Sequence, residues 1–353
     1  MNNVHSSADG GSVKRPTDDS VDCPLTVVII GKNEEQFIAR SVASVIEATR
    51  SLPGAEIIYV DSASTDRSVE CASKYPIRIR QLRPDWPLCV AAGRYTGYVH
   101  SHGRHIFFLD GDAEADPHWL AKAVRFLDDS PQYGAVAGVL DEEYMTREGV
   151  RVGGSANVFK QNLHVRVEER RALGGIALYR RESLERAGTV NPHLPTGEDD
   201  ELCMRIRNAG WKVARLEGRM AVKYTEKRET LYEVLRRCRT SMYDYGAVIR
   251  YSSTYGAGWQ YSREMIPYVL SFSAVIVTLL FALPAAIIFH KLWLLSLVLV
   301  AVIGMVVVKK GGLRDAMLSI AVRSVSTYRT AVSFCRTRPK PVEAYPTDVI
   351  VVQ

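Results

Sequence analysis

Short apolar runs alternate with amphipathic stretches from Leu25 to about Trp259. The first run, Leu25–Ile30, has the length and composition of a buried strand, and Phe37–Ala48 follows with apolar residues at helical spacing. The same alternation predicts the next elements in chain order: a strand at Ile57–Val60, a helix capped by Ser64-Thr65-Asp66 and ending at Cys71, a strand at Ile77–Gln81, a helix at Ala91–His100 and a strand at His105–Leu109. Strands that alternate with helices are typical of an α/β fold built on a parallel sheet.

The last third of the chain has a different pattern. Charged residues are absent from Met265–Phe289 and again from Leu292–Val308, with only His290-Lys291 between the two runs. As helices, the runs would be roughly 37 and 25 Å long, compared with about 30 Å for the hydrocarbon core of a bilayer. We therefore predict a transmembrane helical hairpin over residues 265–309 rather than a buried pair of core helices. The shorter second run either spans with Lys309 and Lys310 reaching the membrane surface or is only re-entrant.

Positive charges around the predicted hairpin indicate its orientation. Cations on the two flanks outnumber Lys291 in the turn: they are Arg263, Lys309, Lys310 and Arg314. The positive-inside rule then places both flanks and the α/β body in the cytoplasm, in a multi-pass protein of the cytoplasmic membrane. Beyond the hairpin, the basic and moderately amphipathic stretch Leu313–Phe334 predicts an interfacial helix.

Composition narrows the possible classes of protein. The formal charge of +6 over 353 residues is spread along the chain, so no basic block indicates binding to nucleic acid. The six cysteines lack CxxC spacing and are interpreted as free thiols in a reducing compartment. The predicted organisation is a disordered N-terminal tail (1–24), an α/β domain (25–240), a juxtamembrane linker (241–264), the hairpin (265–309), and an interfacial helix with a C-terminal tail (310–353).

The candidate chemistry begins at the end of the strand after His105. Asp110 and Asp112 lie two residues apart, so on an extended backbone their side chains start on the same face, and Gly111 between them leaves room for a bulky anion. Two carboxylates at a strand end suit Mg²⁺ or Mn²⁺, which keep positions open for phosphate oxygens. An acidic loop tip can also be merely solvated. However, Asn33 and Asp61 also follow predicted strands, at the edge where ligands of such sheets bind.

Several segments together resemble the motifs of the family 2 glycosyltransferases with the GT-A fold. In chain order they are Val27–Glu35, Val60–Asp66, Ala91–Gly97, Phe108–Asp112 and Gly197-Glu198-Asp199. The resemblance covers residues 25 to 240, with Tyr95 where asparagine is usual. It implies a Rossmann-like mixed sheet with helices on both faces, and the added hairpin resembles bacterial enzymes of exopolysaccharide or lipid-linked glycan assembly.

The resemblance implies a set of residues that bind the donor nucleotide: Ile30, Lys32, Asn33, Glu34, Asp61, Arg94, Asp110 and Gly111. Within this set, Asp61 would hydrogen-bond the nucleobase and Arg94 would lie near the diphosphate. Each role has a structural alternative. Asp61 could cap the turn after its strand, and Asn33 or Glu34 could cap the helix that begins near Phe37.

The acidic run Glu198–Glu201 opens a predicted helix, where four carboxylates would also stabilise the helix dipole. The family uses the aspartate after Gly-Glu as general base, which here is Asp199, with Asp200 as the alternative. Residues implied to face the donor sugar or acceptor are Gly174, Gly175, Glu198, Asp200, Arg236 and Arg237. The two arginines could equally belong to a basic helix on anionic lipid. Lys223 stands where some relatives carry a metal-binding histidine.

These residues together predict an inverting glycosyltransferase that uses Mg²⁺ or Mn²⁺ and a nucleotide-diphosphate sugar, with UDP favoured over GDP. The predicted acceptor is a lipid-linked glycan at the cytoplasmic face of the membrane. Three alternatives remain: a polyprenyl-phosphate glycosyltransferase, a polysaccharide synthase, and a non-catalytic membrane subunit that binds a nucleotide sugar. The missing tryptophan of the Gln-x-x-Arg-Trp signature disfavours the synthase, and the complete acidic motifs disfavour the non-catalytic subunit.

Overall fold

A computed structural model describes residues 23–146, 148–226 and 240–353. Its strands are β1 (Leu25–Gly31), β2 (Glu56–Asp61), β3 (Arg78–Gln81), β4 (His105–Asp110), β5 (Ala113–Ala115), β6 (Tyr133–Met145), β7 (Arg151–Ser155), β8 (Val167–Glu169), β9 (Ala177–Arg180), β10 (Lys212–Glu226) and β11 (Ile350–Val351). They form one sheet in the order β11-β3-β2-β1-β4-β9-β6-β10-β5, with β7 beside β6 and β8 beside β10.

The centre of the sheet is parallel, and its register brings the motifs together. β1 lies between β2 and β4 and is parallel to both; Gly31 pairs with Asp61 and Ile30 with Asp110. The carboxyl ends of the three strands therefore meet at one edge of the sheet. β9 runs antiparallel to β4, so the sheet is mixed. The α/β fold class predicted from the sequence is confirmed.

The helices begin and end close to the predicted positions in the first half of the chain. They are α1 (Ile38–Thr49), α2 (Ser68–Ala72), α3 (Val90–Val99), α4 (Trp119–Asp129), α5 (Arg181–Ala187), α6 (Glu198–Asn208), α7 (Tyr245–Ser253), α8 (Gly258–Glu264), α9 (Pro267–Ile288), α10 (Leu292–Lys310) and α11 (Leu313–Arg336). α3 approaches β1 closely, because a Cβ at Gly97 would lie 2.1 Å from Cγ1 of Val28.

Residues 241–264, expected to be a linker, instead carry α7 and α8, which pack against the α/β domain. Val248, Tyr251 and Tyr261 are buried with Leu194 and Met204 in a second apolar cluster. This cluster joins the two helices to α6, which carries Met204. The segment folds because its apolar residues recur at helical spacing and find a partner surface on the domain.

α9 is the one helix in the described part of the chain that is long and apolar enough to cross a membrane by length and composition. Its apolar stretch has a mean hydropathy of 2.3, and no part of that stretch is buried inside the protein. Large apolar side chains on α9 and α10 face outward, for example Phe281 (76% exposed) and Val300 (70% exposed). These helices therefore present an apolar surface that the other described residues leave uncovered.

The C-terminal region returns to the α/β domain. The second half of α11 crosses α7 so closely that a Cβ at Gly246 would lie 1.9 Å from the carbonyl oxygen of Thr330. Arg329 forms a two-pronged ion pair with Asp244 at 2.8 and 2.9 Å. This half of the expected interfacial helix thus packs on protein. The expected C-terminal tail ends in β11, whose Ile350 pairs with Gln81 at the edge strand β3.

Candidate active site

A cleft of about 310 Å³ opens at the carboxyl ends of β1 and β4. Six of the predicted site residues line it: Ile30, Lys32, Glu34, Asp110, Gly111 and Asp112. Gly111 links the loop after β4 to β1, because its N–H donates to the carbonyl oxygen of Ile30 at 2.7 Å. The parallel register of β1 and β4 brings these residues together.

Two cations hold the carboxylates of the Asp-Gly-Asp motif. The Lys223 ammonium contacts Oδ2 of Asp110 and lies 3.3 Å from Oδ1 of Asp112. Arg94 donates to the other oxygen of Asp110 at 3.1 Å. Lys223 reaches this position from β10, where it pairs with Ala113 of β5. The motif is therefore held by residues from two other parts of the chain.

The cations and burial act in opposite directions on these carboxyl groups. Burial opposes ionisation of Asp110, but Lys223 and Arg94 outweigh it and lower the pKa of Asp110 to about 2. Burial raises the pKa of Asp112 to about 6, although Lys223 opposes the shift. Burial, with the nearby Asp112, raises the pKa of Glu34 to about 8. The cleft thus holds one strongly ionised carboxylate beside two that retain protons more readily.

Arg94 joins the metal motif to the acidic motif. Its side chain is only 6% exposed, and it forms an ion pair with Glu198 through Nη1 while Nη2 contacts Asp110. Burial and the neighbouring Asp199 raise the pKa of Glu198 to about 7, even though Arg94 lowers it. A side chain at Gly175 would collide with Arg94, because a Cβ there would lie 2.4 Å from Nη2. Gly175 therefore gives the guanidinium its space, and its approach to a donor sugar stays a prediction.

The loops after β1 and β2 are interlocked. Asn33, with a left-handed φ of 59°, accepts the Thr65 N–H at 2.8 Å, and its own N–H donates to Ser64 at 2.8 Å. The Glu34 N–H donates to Ser68 at 2.7 Å. In this structure α1 has no side-chain cap from either residue. Asn33 therefore joins the two loops, while Glu34 lines the cleft.

Asp61 is fully buried and lies outside the lining of the cleft. One oxygen accepts from the Tyr59 hydroxyl at 3.0 Å, and the other accepts the Ser64 N–H at 2.9 Å and the Gln81 amide at 3.0 Å. The neighbouring Ser62 does line the cleft. Asp61 thus shapes the loop beside the cleft, and its contact with a nucleobase stays a prediction.

The two candidate bases at the start of α6 face different surroundings. Asp199 lies close enough to Arg94 and Glu198 to influence both of their pKa values. Asp200 instead lines a separate cavity of about 660 Å³, together with Arg171, Arg207 and Glu264. Burial, then Asp199, raises the pKa of Asp200 well above its usual value. Asp199 therefore acts on the Arg94–Glu198 ion pair, and its role as general base stays a prediction.

The glycine-containing loop before β9 is held by a buried arginine. Arg215 donates to the carbonyl oxygens of Leu173 and Gly138, and its guanidinium carbon lies 4.0 Å from the centre of the Phe159 ring. Gly174 has a φ of 82°, and a Cβ there would lie 2.5 Å from the Phe159 ring. The turn therefore requires glycine for both conformation and space.

Three residues that line the cleft were not predicted from the motifs, and two predicted site residues lie outside the described part of the chain. Leu88, Cys89 and Val90 line the cleft at the start of α3, where the local sequence offers no chemical signal. Tyr95, the departure from the family pattern, packs edge-on against Tyr345 of the C-terminal segment at 6.1 Å. Arg236 and Arg237 lie outside the described residues.

Asp110 and Asp112 fit a hard divalent cation as ligands, since both are carboxylates that line the cleft. Within residues 23–146, 148–226 and 240–353, no group of three or more His, Cys, Asp or Glu side chains is arranged to hold an ion. Such a site suits Mg²⁺ or Mn²⁺ bound through one or two carboxylates and completed by phosphate oxygens. Lys223 now occupies the space between the two carboxylates.

Comparison with known proteins agrees with the motifs. Residues 26–188 match the family described as glycosyl transferase family 2. Residues 26–188 therefore form a family 2 glycosyltransferase domain. Family 2 enzymes often use a divalent metal.

The chain is similar to two glycosyltransferases over part of their length. It is 29% identical over 123 residues to an uncharacterized glycosyltransferase of Haemophilus influenzae, covering 34% of this chain and 38% of that protein. It is 24% identical over 198 residues to the glycosyltransferase AglE of Haloferax volcanii, covering 54% of this chain and 63% of AglE. The chain thus matches less than two thirds of the length of each relative.

A solved structure shares the fold. S. aureus TarS 1–349 in complex with UDP-GlcNAc superposes with a TM-score of 0.50 and 19% identity, covering 64% of each chain. This similarity supports the GT-A fold of the α/β domain.

Proposed function

We propose that this chain is an inverting, metal-dependent glycosyltransferase that moves a sugar from a nucleotide-diphosphate donor to a lipid-linked acceptor. The observation that carries the proposal is the linkage made by Arg94. This buried side chain ties the Asp110 carboxylate to Glu198, the residue before the candidate base. The contact supports one site that contains both the proposed donor-binding motif and the proposed acceptor-activating motif, as a transfer between two substrates requires.

The proposed donor is a UDP-sugar. The cleft of about 310 Å³ is within the range of small-molecule sites, which are roughly 300–1,000 Å³. TarS, which shares the fold, was determined with UDP-GlcNAc, and this supports UDP over GDP without indicating the sugar. Lys32 and Glu34 line the cleft, and we expect them to contact the nucleotide.

In the proposed reaction, Asp199 accepts the proton of the acceptor hydroxyl as that oxygen attacks the anomeric carbon of the donor. The glycosidic bond to the diphosphate breaks in the same displacement, so the configuration inverts. Asp110 and Asp112 would hold the Mg²⁺ or Mn²⁺ ion, which when bound offsets the charge on the leaving diphosphate. Asp199 is preferred over Asp200 because Asp200 lines the other cavity.

A test of this chemistry uses the full chain in detergent with a panel of UDP- and GDP-sugars and lipid-linked acceptors. Replacing a general base typically costs about 10²- to 10⁴-fold in rate, so we expect a loss of that size in Asp199→Asn with nearly unchanged UDP affinity. Asp200→Asn is the matched control and should retain most of the activity. The reverse result would assign the base to Asp200. Unchanged transfer in Asp199→Asn would favour a phosphate acceptor, such as polyprenyl phosphate, which needs no base.

The proposed location is the cytoplasmic face of the membrane, with α9 and α10 as the membrane hairpin. The outward-facing apolar residues of these helices, including Phe281 and Val300, support burial in lipid. A membrane anchor would hold the cleft close to the head group of an amphiphilic acceptor. The full chain should stay in the pellet after a carbonate wash, and a reporter fused after Gln353 should be cytoplasmic. A periplasmic reporter signal would mean that only one of the two helices spans.

A further inference from the structure

We propose that Lys223 is the resident cation of the Asp110–Asp112 pair, and that the metal ion enters this pair together with the donor diphosphate rather than before it. In the free protein, the ammonium would occupy the place between the carboxylates. On binding, the diphosphate would take over the ammonium while the metal takes over the carboxylates. This inference rests on the proposed function, namely that the cleft binds a nucleotide diphosphate.

The geometry gives Lys223 a contact with each metal-ligand candidate. Its Nζ contacts Oδ2 of Asp110 and lies 3.3 Å from Oδ1 of Asp112, and its side chain is 17% exposed. The other oxygen of Asp110 is held by Arg94 at 3.1 Å. Both oxygens of Asp110 therefore already face a positive charge before any ion is bound.

The backbone of Lys223 is fixed, whereas its side chain can move. Lys223 pairs with Ala113, the residue after Asp112, and the next N–H, of Tyr224, donates to the Asp112 carbonyl oxygen at 2.8 Å. The strand pairing therefore holds the backbone of the lysine beside the motif. A lysine carries its charge on a flexible four-carbon stem, so the ammonium can turn from the carboxylates into the cleft that it lines.

Charge then couples the metal to the nucleotide. A dication placed on Asp110 and Asp112 alone would face the ammonium at short range and would have to displace it without offering it a partner. A diphosphate supplies that partner, because phosphate oxygens form charge-assisted hydrogen bonds with an ammonium. Each ligand should therefore raise the affinity for the other, and by linkage the two factors must be equal.

The experiment measures Mn²⁺ binding to the full chain in detergent by the electron paramagnetic resonance signal of free Mn²⁺, with and without UDP. For the unaltered protein we expect weak Mn²⁺ binding that UDP strengthens. In Lys223→Gln, Mn²⁺ alone should bind about tenfold more tightly or better, the scale on which a charge within about 4–6 Å shifts an equilibrium at a carboxylate. UDP should then add less to Mn²⁺ affinity than it adds in the unaltered protein.

Two controls separate this effect from a change in the fold or in general charge. Lys223→Arg keeps the positive charge and should keep weak binding of Mn²⁺ alone. Lys32→Gln removes an exposed lysine from the same cleft and should change the affinity for Mn²⁺ alone much less. Thermal unfolding of each variant establishes that the protein is folded.

Unchanged or weaker binding of Mn²⁺ alone in folded Lys223→Gln would overturn the proposal. So would equal UDP affinity in Mn²⁺ and in EDTA, which would mean that Lys223 replaces the metal. Failure of the proposed function is distinguishable, since it would appear as absent sugar transfer with the Mn²⁺–UDP coupling still present.

Discussion

Replacement of Arg94 by methionine is the sharpest test of the link between the two acidic motifs. Methionine keeps much of the apolar volume but removes the charge that faces Glu198 and Asp110. Asp110 retains Lys223 as a partner, whereas Glu198 would be buried beside Asp199 without its cation. Removing one partner of a buried ion pair costs about 3–5 kcal/mol, which makes Glu198 the main source of the expected loss.

The loss should depend on pH in a defined direction. Arg94 lowers the pKa of Glu198 against burial and Asp199, so its removal raises that pKa above about 7. When a carboxyl group has a higher pKa in the folded state than in the unfolded chain, the folded state binds more protons. The free energy of unfolding then falls as pH rises. Arg94→Met should therefore lower the free energy of unfolding more at pH 8, where Glu198 of the unaltered protein is mainly ionised, than at pH 6. A loss of about 3 kcal/mol would lower Tm by roughly 6–12 °C.

The assay is thermal unfolding of the full chain in detergent, for Arg94→Met, Glu198→Gln and the double variant. The double variant should recover part of the loss, because it leaves no unpaired buried charge. The exposed pair Lys122–Glu217, at 2.7 Å with side chains 54% and 41% exposed, serves as the control. Its coupling should not exceed about 1 kcal/mol. A coupling for Arg94 and Glu198 no larger than this control, or one equal at both pH values, would refute the reasoning.

Three further predictions concern the fold around the site. Gly97→Ala should destabilise the protein by about 1–3 kcal/mol because α3 is packed on Val28, whereas Gly304→Ala, with open space around it, should not; unfolding temperatures decide this. Asp61→Ala should lower the affinity for UDP roughly ten- to a hundredfold in isothermal titration, because the variant loses either a hydrogen bond to the nucleobase or the ordered loop beside the cleft. Equal UDP affinity in the two proteins would exclude both of these roles of Asp61. Burial lowers the pKa of His105 despite Asp128, so stability should fall as pH drops below about 6.5, and His105→Gln should remove that slope in unfolding measured from pH 5 to 7.

The sequence by itself determined the centre of the fold and the metal motif. Apolar runs of strand length identified β1, β2 and β4, and the polar residue after each run marked the edge where the motifs meet. The sequence predicts these strands and their polar ends because hydrophobic periodicity is a local property of the chain. It predicts that the ends meet because parallel strands align their carboxyl ends. Asp110 and Asp112 lie together in one cleft, as the sequence predicts.

Only the tertiary structure decided how the side chains of the site contact one another. Arg94 and Glu198 are 104 residues apart in the chain, and Lys223 reaches Asp110 across 113 residues. No local pattern encodes such contacts, because they depend on how β10 and α6 pack against the central strands. The same reason explains why residues 241–264 form helices and why the C-terminal segment forms β11. A segment that looks like a linker or tail becomes ordered when a distant surface of the protein packs against it.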